Sequence, residues 1–174
     1  MQGRYEQAGT VIRAAGQVVT FRSDGRRLAT VAPDGELRVW DTALSRPPSM
    51  LTRIRPRRHI VAAAWNPEAA NLLATLSAGG GVSVWRIVDD SPPQPIWTTG
   101  TPMTRATTLT WLADGRHLAC GTRYGDVSLW DTNWGVCRTV VAGRREPCLT
   151  ISPTVQGGLL TAFRDGLLWC AILL

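Results

Sequence analysis

The sequence predicts an all-β fold assembled from one four-stranded unit repeated along the chain, on three observations. Glycines at 35, 80 and 125 and tryptophans at 40, 85 and 130 recur every 45 residues, and a fixed period of that size marks a repeat architecture. Each glycine opens the same local pattern, clearest in Tyr124-Gly125-Asp126-Val127-Ser128-Leu129-Trp130-Asp131, where a turn runs into apolar alternation of period 2, the signature of a strand. Asp-Gly pairs at Asp24-Gly25, Asp34-Gly35, Asp114-Gly115 and Asp165-Gly166 supply the positive-φ residue that a tight hairpin needs.

In chain order, residues 9–14, centred on Val11 and Ile12, form a short strand with no hairpin partner of its own. The first unit, over 17–55, places strands at Val18 to Phe21, Leu28 to Val31, Leu37 to Trp40 and Met50 to Ile54. The second, over 60–99, repeats them at Val61 to Trp65, Leu72 to Leu76, Val82 to Trp85 and Pro95 to Thr98, with Asn66-Pro67 in place of the first turn. The third, over 106–142, runs Thr107 to Trp111, Leu118 to Gly121, Val127 to Trp130 and Val136 to Val141.

The fourth, over 147–174, has room for three strands, and here the repeat tryptophan is missing. Trp169 lies three residues after Gly166, whereas Trp40 and Trp130 lie five after Gly35 and Gly125, so Ala171 holds that position. Counting back 19 or 20 residues makes Phe21, Trp65, Trp111 and Ile151 the first-strand anchors.

Four-stranded units of this length with aromatic anchors describe the blades of a β-propeller. Blades packed around an axis bury both faces of each sheet, which explains strands with few charges. The expected architecture is one propeller domain over 1–174 with about four blades, incomplete relative to a seven-bladed ring, so that extra blades outside this chain or a partner inserted into the ring are expected. The strand over 9–14 is expected to close it by pairing with the third strand of the last blade near Leu168 to Leu173, since pairing satisfies the edge hydrogen bonds.

Hydrophobic content of 44% with 18% charge describes an ordinary globular chain. No apolar run approaches the roughly 20 residues of a membrane-spanning helix, and Met1 to Gln7 lacks the apolar core of a signal peptide. Cys120, Cys137, Cys148 and Cys170 are 17, 11 and 22 residues apart, without metal-site spacing. They read as reduced, mostly buried thiols of an intracellular protein. The net charge is +6, and all 19 basic residues are arginine; their scatter along the chain fits compositional bias better than selection for phosphate recognition.

The pairs Trp40-Asp41 and Trp130-Asp131, preceded by Asp-Gly or Gly-Asp turns at this spacing, resemble the WD-repeat family of propellers. The family's Gly-His pair ahead of each first strand is missing, so its histidine–aspartate network is not carried over and blade stability is expected to come from apolar packing. Within the family, Arg58 to Pro67 with Leu72 to Trp85, and Arg123 to Asn133 followed by Trp134, are similar to the aladin-type nucleoporins, as is a last unit without its tryptophan. That resemblance implies a non-enzymatic scaffold at the nuclear envelope. It would act in nuclear pore complex assembly and nucleocytoplasmic transport, with other nucleoporins, including a pore-membrane subunit, as partners.

For hydrolytic chemistry His59 and His117 are the available bases, and each has a plain place, ending a basic connection and standing on a strand beside Asp-Gly-Arg. Gly79-Gly80-Gly81 lacks the Lys-Ser/Thr and helix of a phosphate loop and reads as a turn. No catalytic, cofactor or metal residues are expected. The strongest surface signal is the run Arg53, Arg55, Arg57, Arg58, read as the connection between the first two blades, with Arg144 and Arg145 in the equivalent later connection and Arg123 in a turn on the same rim. An RNA or a phosphorylated or acidic partner is the alternative ligand for that rim, disfavoured because no exposed aromatic interleaves with these arginines.

Overall fold

The computed structural model describes residues 18–43, 47–99, 103, 105–142, 144–154 and 156–172. Fifteen strands are described: β1 (Val18–Phe21), β2 (Arg27–Val31), β3 (Leu37–Asp41), β4 (Ser49–Ile54), β5 (Ile60–Trp65), β6 (Leu72–Ser77), β7 (Val82–Arg86), β8 (Gln94–Thr98), β9 (Ala106–Trp111), β10 (His117–Thr122), β11 (Val127–Asp131), β12 (Val136–Val141), β13 (Cys148–Pro153), β14 (Gly158–Phe163) and β15 (Leu168–Ile172). They form four antiparallel meanders in chain order, β1 to β4, β5 to β8, β9 to β12 and the three-stranded β13 to β15. The expected strand over 9–14 lies outside the described residues.

Local chemistry sets the hairpins. Gly25, Gly35, Gly80, Gly115, Gly125 and Gly166 all have φ between 62° and 84°, the left-handed region where a Cβ is costly. Ahead of four of them the Asp side chain accepts a backbone N–H two residues on, as Asp34 does from Glu36 at 2.9 Å and Asp165 from Leu167 at 3.0 Å, the self-bonded turn for which Asp is favoured.

Between successive sheets lie three apolar cores. Ala29, Val31, Leu37 and Val39 of the first sheet meet Ile60, Ala63, Trp65 and Leu73 of the second. Ala74, Leu76, Val82 and Val84 then meet Leu109, Trp111, Leu118 and Trp130 of the third, and Ala119, Val127 and Leu129 meet Cys148, Ile151, Leu159 and Phe163 of the fourth. The first strands β1, β5, β9 and β13 pack side by side in that order, so they are the inner strands of a propeller and β4, β8 and β12 the outer ones. Two first-strand tryptophans staple neighbouring blades: Trp65 Nε1 donates to the Thr20 carbonyl at 3.3 Å and Trp111 Nε1 to the Ala64 carbonyl at 3.1 Å.

Strand pairing settles the register of the last blade. Leu28 pairs with Trp40, Leu73 with Trp85, Leu118 with Trp130 and Leu159 with Ala171, so Ala171 does occupy the tryptophan position. The consequence is visible one strand away. Trp40 and Trp85 donate to the hydroxyls of Thr30 and Thr75 at 3.0 and 2.9 Å, while the equivalent Thr161, fully buried, has a hydroxyl without a partner.

The first-strand anchor of that blade is corrected. Leu159 pairs with Pro153, as Leu118 does with Trp111, so Pro153 stands in the anchor position and Ile151 two residues further in. The sequence count failed because the first hairpin loop is shorter in the fourth blade: residues 154–158 separate its paired positions, against 112–117 in the third. The thiols also need correction, since Cys120 and Cys148 are buried but Cys137 and Cys170 are exposed; burial pushes Cys148 up to about 11 and Cys120 upward as well.

Candidate functional site

Two rims carry the polar side chains. On one, every interblade connection seats against the glycine turn of the blade before it. A Cβ on Gly35 would meet His59, one on Gly80 the Met103 backbone, and one on Gly125 the Glu146 carbonyl at 2.5 Å. Backbone bonds repeat with the blades, Ala78 N to His59 O at 2.7 Å, Arg123 N to Arg105 O at 2.9 Å and Arg164 N to Pro147 O at 3.0 Å. The glycine of the turn is what lets the next connection approach so closely.

The arginines named from the sequence divide on this rim. Arg53 is on β4, paired with Arg38, and does not belong to the connection. Arg38, Arg53 and Arg55 converge on the buried Glu36 carboxylate, with Nε distances of 2.9, 3.9 and 2.8 Å. Hydrogen bonds from Arg55 and then Arg38 hold that carboxyl below its ordinary range, because a charged acceptor is favoured by cationic donors. Arg144 lies over the Phe163 ring, 4.4 Å from its centroid, and contacts Asp165 at 3.3 Å. Arg57, Arg58, Arg123 and Arg145 are exposed, and Arg58 lies against the Gly79 turn.

Between the second and third blades Arg105, Arg123, Val61 and Ala78 line a cavity of about 370 Å³. Here an aromatic does interleave with the arginines, contrary to expectation: Tyr124 is 50% exposed and the Arg105 guanidinium lies 5.6 Å from its ring centroid. Tyr124 was hidden because its neighbour Arg105 lies 19 residues earlier and is brought to it by the bond from Arg123 N in the glycine turn to Arg105 O in the connection ahead of that blade.

On the opposite rim, the third blade builds a second arrangement that the sequence did not single out as a site. Arg116 grips Asp131 through two guanidinium nitrogens at 3.1 and 2.5 Å, a charge-assisted pair of fixed geometry. Asp131 Oδ1 also accepts the N–H of Asn133 at 2.9 Å, and its carboxyl is lowered to about 2, chiefly by Arg116. His117 Nδ1 lies 2.5 Å from Asp114 and its Nε2 3.8 Å from Asp131.

In the first blade Arg27, the cross-strand partner of Asp41 as His117 is of Asp131, reaches Asp41 at 3.1 Å. Apolar packing is therefore not the whole of blade stability: in the first and third blades an arginine ties the aspartate of the Trp-Asp pair. The pinned Asp131 turn presents Trp134, 75% exposed, beside Val136 at 61%. These two and Arg138 lie along a cavity of about 540 Å³ whose floor includes Leu112 and Leu129. The sequence signal was present, a tryptophan standing in a turn outside the strand register.

Among the described residues no three potential ligands gather as a metal site, and no helix is long and apolar enough to cross a membrane.

No curated protein matches the chain. Among solved structures it is similar to the crystal structure of the Myceliophteria thermophila Cps50 (Swd1) β-propeller domain, at 17% identity and a TM-score of 0.70, covering 91% of this chain and 52% of that one. The chain thus spans about half the length of that propeller domain. A model of the WD domain, G-beta repeat, matches residues 14–41, and the Anaphase-promoting complex subunit 4 WD40 domain matches residues 63–152, which is 90 of the 174 residues. With that match and the stacked four-stranded blades, the chain belongs to the WD40 family of β-propellers.

Proposed function

We propose that this chain is a non-enzymatic scaffold of aladin type. It would act in nuclear pore complex assembly and nucleocytoplasmic transport at the nuclear envelope, with other nucleoporins, including a pore-membrane subunit, as its partners. The carrying observation is Trp134. A large aromatic is held in water on a turn that Asp131 pins from three backbone and side-chain directions, and preorganised exposed aromatics are what protein interfaces use as anchors. Trp134 closes the stretch from Arg123 in which the aladin resemblance lies. The matching family model takes its title from a subunit of a multiprotein complex, which supports an assembly role. The test is affinity capture from nuclear envelopes with the native chain and Trp134→Ala. Nucleoporins recovered with the first and reduced at least about tenfold with the second support the reading; recovery solely of ribosomal or cytosolic complexes contradicts it.

A second reading rests on the other rim. Arg105, Arg123 and exposed Tyr124 combine cations with a stacking face, which suits RNA or a phosphorylated partner. Binding of single-stranded RNA that weakens steeply with salt and is lost in Arg123→Ala favours this reading; a partner held equally at low and high salt favours the first.

A further inference from the structure

Where the turn of a blade meets the connection leading into that blade, one backbone bond recurs: Ala78 N to His59 O in the second blade, Arg123 N to Arg105 O in the third and Arg164 N to Pro147 O in the fourth. Of these, the third blade's alone has arginine at both ends. The bond is 2.9 Å long and fixes the spacing of the two backbones. Arg105 is held at φ 59°, a left-handed conformation that a residue with a side chain keeps only where its surroundings impose it.

Both arginines line the cavity of about 370 Å³ between the second and third blades, with Val61, Ala78, Ala106 and Thr107 as its other walls. No carboxylate is among them. Arg58 borders the same hollow, since it lies against Gly79, next to Ala78. Elsewhere on this rim arginines are neutralised, Arg38 and Arg55 by Glu36 at 2.9 and 2.8 Å and Arg144 by Asp165 at 3.3 Å. Among the described residues Arg58, Arg105 and Arg123 make no ion pair, and the connection from Gly100 to Thr104 contains no acidic residue.

We infer, on the second reading above that this rim takes an anionic ligand, that the cavity binds the phosphoryl group of a phosphorylated side chain on a partner protein. Such a group brings close to two negative charges and three acceptor oxygens to one point. That matches several guanidinium forks gathered around one hollow without a counter-charge. Val61, 37% exposed, and Ala78 supply an apolar wall for the carbon atoms that carry the phosphate. RNA needs a different surface, because its charge is spread singly along a backbone and its successive bases need successive stacking faces. Among the described residues Tyr124 is the one exposed Phe, Tyr or Trp on this rim.

Retention of the purified 174-residue chain on a set of resins tests this. The resins carry degenerate heptapeptides with phosphoserine, phosphothreonine or phosphotyrosine at the centre, the same peptides unphosphorylated or with central glutamate, and a single-stranded oligouridylate. At least one phosphorylated resin should retain the chain about tenfold or more better than the others. Arg105→Gln and Arg123→Gln alter exposed side chains, so each should melt like the native chain and lose that preference. Arg145→Gln, exposed on the same rim outside the cavity, should keep it. Equal retention on phosphorylated and glutamate peptides, or a preference that survives in both Arg105→Gln and Arg123→Gln, overturns the proposal. Retention on the RNA alone overturns it while sparing the anionic rim, and retention on no resin removes both.

Discussion

The third blade, β9 to β12, and the fourth, β13 to β15, come from the same repeat yet differ in how many sides are covered. The third is packed between neighbours, with Leu118, Ala119, Cys120 and Val127 all fully buried, while the fourth buries Leu159 on the side facing the third and leaves Leu160 and Leu168 in water. Equivalent positions thus have different energetic weight, because burial depends on the neighbouring blade as well as on the strand. The comparison can be broken by substitutions at matched positions.

The largest effect should come from the tryptophans. Trp130 is 6% exposed and packs edge-on to Trp97, with centroids 5.8 Å apart, so Trp130→Ala should lose about 3 to 5 kcal/mol in denaturant unfolding. Trp169, out of register and half-buried against the third core, should lose about 1 to 2 kcal/mol when replaced by Ala. Equal losses would mean that Trp169, not Ala171, holds the repeat position.

Next come the turn glycines. Gly80 and Gly166 share φ near 80°, but a Cβ at Gly80 would strike the Met103 backbone and one at Gly166 meets nothing. Gly166→Ala should cost about 1 kcal/mol, the left-handed penalty alone. Gly80→Ala should cost at least about 2 kcal/mol more, since backbone has to move. Melting temperatures of the two variants decide it, and a similar fall in both would remove the seated connection from the account.

Thr75 and Thr161 make a smaller contrast of opposite sign. Thr75→Val strips the acceptor from the Trp85 indole and should destabilise by about 1 kcal/mol, whereas Thr161→Val removes a buried hydroxyl with no partner and should be neutral or stabilising by about as much. Chemical denaturation of the pair reads this directly.

Acid provides the mildest test. The Asp131 carboxyl, lowered to about 2 chiefly by Arg116, titrates near 3.9 when unfolded. Its pairing therefore stabilises fully above about pH 4 and is lost as pH falls towards 2. Asp131→Asn should flatten that acid limb of the stability curve. The fourth blade has Ile172 in the aspartate position, paired with Gly158 as Asp131 is with His117, and contributes nothing comparable.

Strand order and turns were readable from the sequence because glycine, Asp-Gly and period-2 alternation act locally. Ala171 was readable for the same reason, its distance from Gly166 being fixed by a hairpin. Ile151 was misplaced because an inner strand's register depends on a loop whose length varies between blades. The sharing of Glu36 by three arginines, and the approach of Arg105 to Tyr124, depend on how connections fold across glycine turns. Local pattern contains neither. Trp134 had a local signal, but its value as a site comes from Arg116 holding Asp131 beneath it.

The most direct test of the claim that the blades are equivalent in register but unequally covered is the rate at which each native cysteine is alkylated. It is followed by mass spectrometry. Cys120, fully buried in the covered third blade with its thiol pushed upward by burial, should react only as fast as the protein unfolds. Cys170 on the open fourth blade should react at nearly the rate of a free peptide. Similar protection of Cys120 and Cys170 would contradict the open end face and with it the account of the fold.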